Sequence, residues 1–451
     1  MGLTSGWFLV VMITAAVGWI AAIVLVWPHL AGQPSSRTGP AGQAGRLAAR
    51  LAGRAGLLVG SQVLVVAAVL VWLNSYYAFY GSWSELFGHN VAVKIAVKRA
   101  ALAKPVKVAR PVAPGLDPLG PRPPAGRPSR WRPESVRFYG FGLGPGPGQP
   151  GLPPHAEGRA VRRLTGLPGS ARYGMIARIQ ITGHRSGLTT SSGYVYLPPQ
   201  YFRPAYAHDR FPAVLALTGY PGGARSIIDR LDLPATAARL AAARRARPVV
   251  YVMLNVSPVF PRDTECTNVP AGPQVATFFA VDVPLAIEQA FRVTTSRAGW
   301  GTLGYSTGGY CATKLAMMYP DTFSAAVSIA GYYTALHDST TGNLYGSSSA
   351  YQNDSNLDWR LRHLPAPPIS LLVTSSKVGE NTYPGTLRFL QLIRLPMHAY
   401  ALIHPVGGHN FGIWSHELPQ TLHWLTFRLG RPGSESGSLS GATSRLADSP
   451  A

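Results

Sequence analysis

A serine hydroxyl becomes a useful nucleophile when a base takes its proton and fixed N–H groups await the oxyanion it creates. Gly304-Tyr305-Ser306-Thr307-Gly308 is the stretch best suited to that work. In a chain with 49 glycines the G-x-S-x-G spacing alone is weak, but its setting is informative. The apolar run WGTLGY, Trp300 to Tyr305, ends at the motif, and the helical pattern TGGYCATKLAMMY begins directly after Ser306. A strand that turns sharply into a helix lifts a serine above a sheet, and flanking glycines let the two backbones approach. The free N–H groups at a helix N-terminus suit an oxyanion. A second donor is expected from LTGYPGG, Leu217 to Gly223, which follows another apolar run; the backbone N–H groups of Tyr220 and Thr307 are the candidate oxyanion hole.

His409, in the glycine-flanked loop HPVGGHNFGIW, is the candidate base, with His404 and His416 as rivals in a strand and a helix. Glu380 is the one carboxylate in SSKVGENTYPGT and the candidate acid that orients the histidine. Asp338, Asp354 and Asp358 lie in a polar insertion before that loop and remain alternatives. Tyr220, Tyr305, Tyr332, Tyr333, Phe411 and Trp414 crowd the same stretches. Tyr305, Tyr332 and Trp414 are read as substrate-binding, for an apolar acyl group, with core packing as the competing reading. The two cysteines, Cys266 and Cys311, lack the close spacing of a metal site, and no metal is expected. Paired in an exported domain, they would contribute about 4 kcal/mol in the chain-entropy model, against two buried thiols as the alternative.

The elements that must position these residues have an α/β rhythm. Nearly continuous apolar runs at Ala213–Leu217, Val249–Leu254, Trp300–Tyr305, Ala325–Gly331, Ile369–Thr374 and His398–Ile403 read as strands covered on both faces. Helical patterns fall between them, at Ile227–Ala246, Val275–Phe291, Thr307–Tyr319, Thr386–Leu392 and Trp414–Leu429. MIARIQIT and SGYVYLP, from Met175 and Ser192, predict an antiparallel hairpin at the sheet edge. The fold class expected is α/β, a doubly wound, mostly parallel sheet preceded by a helical hairpin.

VYLPPQYF, LTGYPGG, GYSTGGYCA and GGHNF resemble the bacterial putative-esterase family of α/β hydrolases, which includes esterase D-like enzymes, enterochelin esterase-like enzymes and mycolyltransferases. The resemblance covers about Met175 to Leu429 and implies a Ser306, Glu380 and His409 triad without a cofactor. The chain has Thr218 where many relatives carry histidine, and its acid is a glutamate in a serine-rich loop. An N-terminal pair of apolar spans before such a domain resembles membrane-bound actinobacterial esterases.

Trp7 to Trp27 carries no charge and is long enough to cross a bilayer, too long for a signal-peptide core. Ala55 to Leu73 is a second span, ending in Tyr76, Tyr77, Phe79 and Tyr80. The loop between them holds Arg37, Arg46, Arg50 and Arg54 and no acid, which places it in the cytoplasm with both termini outside. The basic stretch after the second span, Lys94 to Arg110, opposes that bias. Residues 1–80 are thus expected as two transmembrane helices, 81–160 as a basic Pro/Gly-rich linker, 161–430 as the catalytic domain and 431–451 as a disordered tail. The balance of 41 Lys and Arg against 19 Asp and Glu favours anionic lipid or cell-wall phosphate as a partner, rather than nucleic acid, because the basic runs flank apolar spans. The reading that results is a multi-pass cell-membrane protein with an extracytoplasmic serine esterase or acyltransferase domain, acting on an ester or acyl-lipid substrate. Acyl transfer to an envelope sugar or lipid, a non-catalytic envelope-binding module and a peptidase are the alternatives.

Overall fold

The central strands are apolar from end to end, and this decides the architecture. In the computed structural model β5 (Ala213–Leu217), β6 (Val250–Leu254), β7 (Trp300–Tyr305) and β8 (Ala325–Ile329) are buried at every position, as strands with helices on both faces must be. The model describes residues 6–31, 40–77, 80, 83–87, 97–101, 135–143, 169–190 and 192–431. β9 (Ser370–Val378) and β10 (His398–Val406) continue the sheet on one side, and β3 (Met175–Ile181) and β4 (Gly193–Leu197) on the other. With β1 (Lys98–Arg99) and β2 (Val136–Leu143) the order is β1-β10-β9-β8-β7-β5-β6-β4-β3-β2. Parallel pairing runs from β6 through β5, β7 and β8 to β9, and β4, β3 and β2 add antiparallel to β6.

Several boundaries differ from the sequence expectation. Val136–Leu143 lies inside the expected linker yet forms a strand beside β3, so the β3–β4 hairpin is not the edge of the sheet. The segment VRFYGFGL carries the aromatic residues a strand favours. Phe138 meets Phe291 edge to face at 5.7 Å, and the Tyr139 hydroxyl donates to Gln180 at 2.8 Å. The register shifts at Gly140, which lets this short strand follow the twist. The helix expected over Ile227–Ala246 is two helices, Ser226–Asp229 and Leu233–Ala242, because Asp232 takes φ 58° ahead of Pro234. Most of the remaining linker and all of the tail beyond Arg431 lie outside the described residues.

The chain divides into two units. One comprises Met1–Val93 with the short segments Ser376–Asn381 and His404–Ile413. Its helices Gly6–Ala31 and Pro40–Tyr77 contain stretches of 23 and 28 residues with mean hydropathy 2.7 and 2.3, long and apolar enough to cross a membrane. They pack at a small residue, Gly60, against which the Trp19 indole lies while its Nε1 donates to the Leu57 carbonyl at 3.0 Å. Arg54 sits over the Trp27 ring at 5.3 Å.

The second unit, Lys94–Ser375 with Thr382–Ile403 and Trp414–Ala451, holds the core. Phe278, Phe279, Ile287 and Val293 pack there with Val250, Val252 and Leu254. Cys266 and Cys311 are joined in a disulfide, fully buried, between the excursion after β6 and the helix that follows Ser306. Replacing both with alanine is expected to lower unfolding free energy by about 2–5 kcal/mol. Urea denaturation checks it, and an unchanged midpoint would show that the bond carries no stability.

Candidate active site

Ser306 joins β7 directly to the helix Thr307–Met318 and adopts φ 56°, ψ −125°. A non-glycine residue in the left-handed region is strained, and such strain persists only where the surroundings over-determine it. Here they do. A Cβ on Gly304 would overlap the carbonyl of Gly308, and one on Gly308 would overlap the carbonyls of Leu217 and Thr218. Strand, turn and helix can therefore meet only as bare backbone. The Ser306 N–H donates to the Ile329 carbonyl at 2.9 Å, and the Ser306 carbonyl accepts from Gly309 at 2.8 Å and Tyr310 at 3.1 Å. The side chain is left partly exposed at the top of the turn.

The loop after β5 runs close to the serine. A Cβ on Gly219 would stand 3.0 Å from Ser306 Cβ, so the peptide leading into Tyr220 passes beside the nucleophile candidate. Tyr220 is fixed from its ring end: its hydroxyl donates to the Pro261 carbonyl, and its ring tilts against Phe260 at 6.1 Å. Thr307 is buried at the first turn of the helix. Both candidate oxyanion donors thus belong to segments held in place by more than their own backbone.

Glu380 and His409 are brought together. His409 Nδ1 lies 3.1 and 3.2 Å from the two carboxylate oxygens of Glu380, which is buried, while His409 is partly exposed. Glu380 follows β9 and His409 follows β10, neighbours in the sheet. The His409 loop ends where Asn410 Oδ1 accepts from the N–H groups of Gly412 (2.8 Å) and Ile413 (3.2 Å), capping the helix Phe411–Arg428 three residues earlier than its apolar pattern suggests. The other acids are engaged elsewhere. Asp354 pairs with Arg360, Asp358 accepts from Arg388 at 2.8 Å, and Asp338 caps its own turn at Thr340 and Thr341. His404 is buried near the end of β10 and His416 is exposed in the following helix.

Tyr305 and Trp414 stack on each other at 4.8 Å and are buried, so packing is the part the structure gives them. The Tyr305 hydroxyl pairs with Ser226 Oγ at 2.7 Å, and burial pushes its pKa up to about 12. Tyr332 is half-buried, stacked on Tyr310 at 5.1 Å. Sequence reasoning missed what Tyr332 binds: its hydroxyl meets the carboxylate of the fully buried Glu265, which belongs to a run of buried polar residues from Asp263 to Asn268. An acid flanking a cysteine in DTEC was the available signal. Among the described residues no cluster of His, Cys, Asp and Glu could hold a metal.

A family model described as Putative esterase matches residues 189–425. An uncharacterized protein of Corynebacterium glutamicum is 24% identical over 266 residues, 54% of this chain and 59% of that protein, so the chain spans about three fifths of the relative's length. Among solved structures the chain is similar to the S-formylglutathione hydrolase of Agrobacterium tumefaciens (17% identity, 57% of this chain and 96% of that one, TM-score 0.46). It is also similar to a ferulic acid esterase (17%, 56% and 98%, TM-score 0.47) and to a fluorophosphonate-binding serine hydrolase of Staphylococcus aureus (17%, 56% and 98%, TM-score 0.45).

If Glu380 holds the imidazole tautomer, Glu380→Gln should cut ester turnover by up to about 10⁴-fold with little change in melting temperature. A near-wild-type rate for Glu380→Gln, beside an inactive Asp358→Asn or Asp354→Asn, would move the role to the insertion.

Proposed function

Because the chain belongs to the Putative esterase family of α/β hydrolases, we propose that it is a membrane-anchored serine esterase or acyltransferase with Ser306 as nucleophile, His409 as base and Glu380 as orienting acid. The observation that carries this reading is the elbow, where close backbone approach forces Ser306 into the left-handed region and leaves its side chain partly exposed. The Glu380 contact at His409 Nδ1 supports it, since it leaves Nε2 as the nitrogen that can take a proton.

In the reaction proposed, Ser306 Oγ attacks the ester carbonyl carbon as His409 Nε2 removes the hydroxyl proton. The backbone N–H groups of Tyr220 and Thr307 receive the oxyanion. Collapse breaks the ester C–O bond, and His409 returns the proton to the departing alcohol. Water or an acceptor alcohol then attacks the acyl-enzyme by the same route in reverse. Hydrolysis and acyl transfer to an envelope sugar or lipid differ only in that second nucleophile.

Residues 1–80 would anchor the protein and 161–430, together with strand β2, would form the catalytic domain outside the membrane. The disulfide supports that side, because such bonds persist in oxidising compartments, and so does the arginine-rich, acid-free loop between the spans. The net charge of +22 suits anionic lipid or wall phosphate nearby.

Ser306→Ala is expected to abolish both turnover of p-nitrophenyl esters and labelling by a fluorophosphonate, while the unfolding temperature stays within a few degrees. Labelling of Ser306→Ala at the wild-type rate would overturn the assignment. A panel of esters of increasing chain length, run with and without an added alcohol acceptor, separates esterase from acyltransferase.

A further inference from the structure

The C-terminal end of the last helix gathers cations without acids. Lys98, Arg99, Arg244, Arg245 and Arg428 are all exposed, and among the described residues no carboxylate pairs with any of them. They come from three segments: β1, the turn after the helix Leu233–Ala242, and the end of the helix Phe411–Arg428. Contacts join these segments into one surface. The Arg428 guanidinium lies over the Tyr400 ring of β10 at 4.6 Å and over the Trp424 ring at 5.5 Å. Arg99 donates to His398 Nδ1 at 2.8 Å, and burial, with Arg99 and Arg428 close by, lowers the pKa of that imidazole. On the other side His423 Nδ1 donates to the Arg245 carbonyl, and the Arg247 guanidinium covers the Phe427 ring at 4.9 Å.

Helix capping explains only part of this charge. Arg247 is taken up by the fold, since it donates to the Leu429 carbonyl at 2.6 Å, where a cation complements the helix dipole. Arg244 has no such part. It takes φ 57°, a conformation that glycine adopts without strain, yet it presents an exposed guanidinium. Two apolar side chains stand out among the cations: Phe427, 45% exposed, beside Arg428, and Leu395, 60% exposed, in the turn that leads into β10. Cations mixed with exposed apolar groups suit a headgroup boundary, whereas a soluble phosphate needs only the cations. The chain also leads here from the apolar helices. Lys98 follows Tyr77, the last residue of the second one, by 21 residues, so at about 3.5 Å per residue β1 is held within roughly 75 Å of that helix end.

We propose that this face, built from Lys98, Arg99, Arg244, Arg245 and Arg428, docks on the anionic headgroups of a lipid bilayer, with Phe427 and Leu395 entering the headgroup boundary. The inference rests on the reading of the two apolar helices as a membrane anchor. Guanidinium groups fork onto phosphate oxygens, and a tether raises the local concentration enough for a few weak contacts to hold a domain. The attraction between exposed charges is screened by salt and grows with the charge of the lipid. The face lies where the strands begin, for Arg244 and Arg245 lead into β6 and His398 opens β10 beside the start of β9. Ser306 follows the opposite end of β7, which runs parallel with β5 and β6. Docking through this face therefore turns the candidate nucleophile toward water and away from the lipid.

The test uses the full-length protein reconstituted in vesicles, with an environment-sensitive fluorophore on Ala243→Cys, an exposed position beside Arg244. The native cysteines are joined and buried and do not react. Emission should shift to the blue in vesicles with about one-third phosphatidylglycerol and stay unshifted in pure phosphatidylcholine, and high salt should remove the shift. Arg245→Glu combined with Arg428→Glu should abolish it. Arg244→Gly should reduce it while the melting temperature holds or rises, because glycine relieves the left-handed backbone; an arginine with only a structural part would not separate the two readouts. Equal emission in the two lipids, or a shift that survives both Arg244→Gly and the double variant, overturns the proposal. A shift given by soluble inorganic polyphosphate and not by the anionic vesicles also overturns it and assigns the face to a phosphate polymer. Alkaline carbonate washing separates the anchor from the docking face: protein stripped from both vesicle types fails the anchor reading, and a lipid-dependent shift at neutral pH in that same protein still supports the face.

Discussion

Bare backbone contact at Gly304 and Gly308 is the constraint on which the rest of this structure depends. A side chain at Gly304 would collide with the carbonyl of Gly308 in the helix, and one at Gly308 with the carbonyls of Leu217 and Thr218 at the end of β5, which pairs with β7. The helix is therefore drawn against the sheet until the turn between them has room for one residue only, and Ser306 takes the strained conformation. Packing of the helix offsets that strain: every residue from Thr307 to Met318 is buried.

A helix buried on all sides must satisfy its polar groups internally, since an unpaired one costs about 1–3 kcal/mol. Much of the surrounding architecture answers that demand. Thr313 bonds back to the Gly309 carbonyl, the Tyr310 hydroxyl donates to the Ser355 carbonyl, and Lys314 is held by Glu265 and Thr267. The excursion after β6 and the insertion after β8 are thus partners of the helix and not mere decoration. They are stitched to each other as well, by Arg262 donating to the Thr341 and Asn343 carbonyls and by Tyr351 donating to that of Asn268. The Tyr220 hydroxyl on Pro261 extends the same scaffold to the loop after β5. Elbow, candidate oxyanion loop and disulfide therefore share one support.

The sheet recruits strands from the stretch ahead of its main body. Lys98–Arg99 pairs with β10 at one edge and Val136–Leu143 with β3 at the other, so both outermost strands come from the region that composition marks as a linker. Edge strands can be short and weakly apolar because only one side of each must pair, which is why a composition average hid them.

The sequence by itself determined the fold class, most of the main strands to within a few residues, the two apolar helices and the strand–turn–helix at Ser306. These are local signals, written in continuous apolar runs and in glycines beside a serine, and they need no knowledge of what lies across the molecule. It also narrowed the candidate acid to Glu380 or an aspartate of the insertion, because loop order follows chain order. The tertiary structure decided what depends on residues far apart in the chain. Glu380, 29 residues before His409, reaches the imidazole, whereas Asp354 and Asp358 are taken up by arginines. Tyr305 and Trp414 became packing residues because each found the other, and Tyr332 acquired Glu265, 67 residues away, as its partner. Whether a polar or aromatic side chain ends in a core, an ion pair or a site is set by which distant groups the fold brings beside it. Periodicity and spacing carry no record of that encounter, because burial and pairing belong to the folded chain and not to any one segment of it.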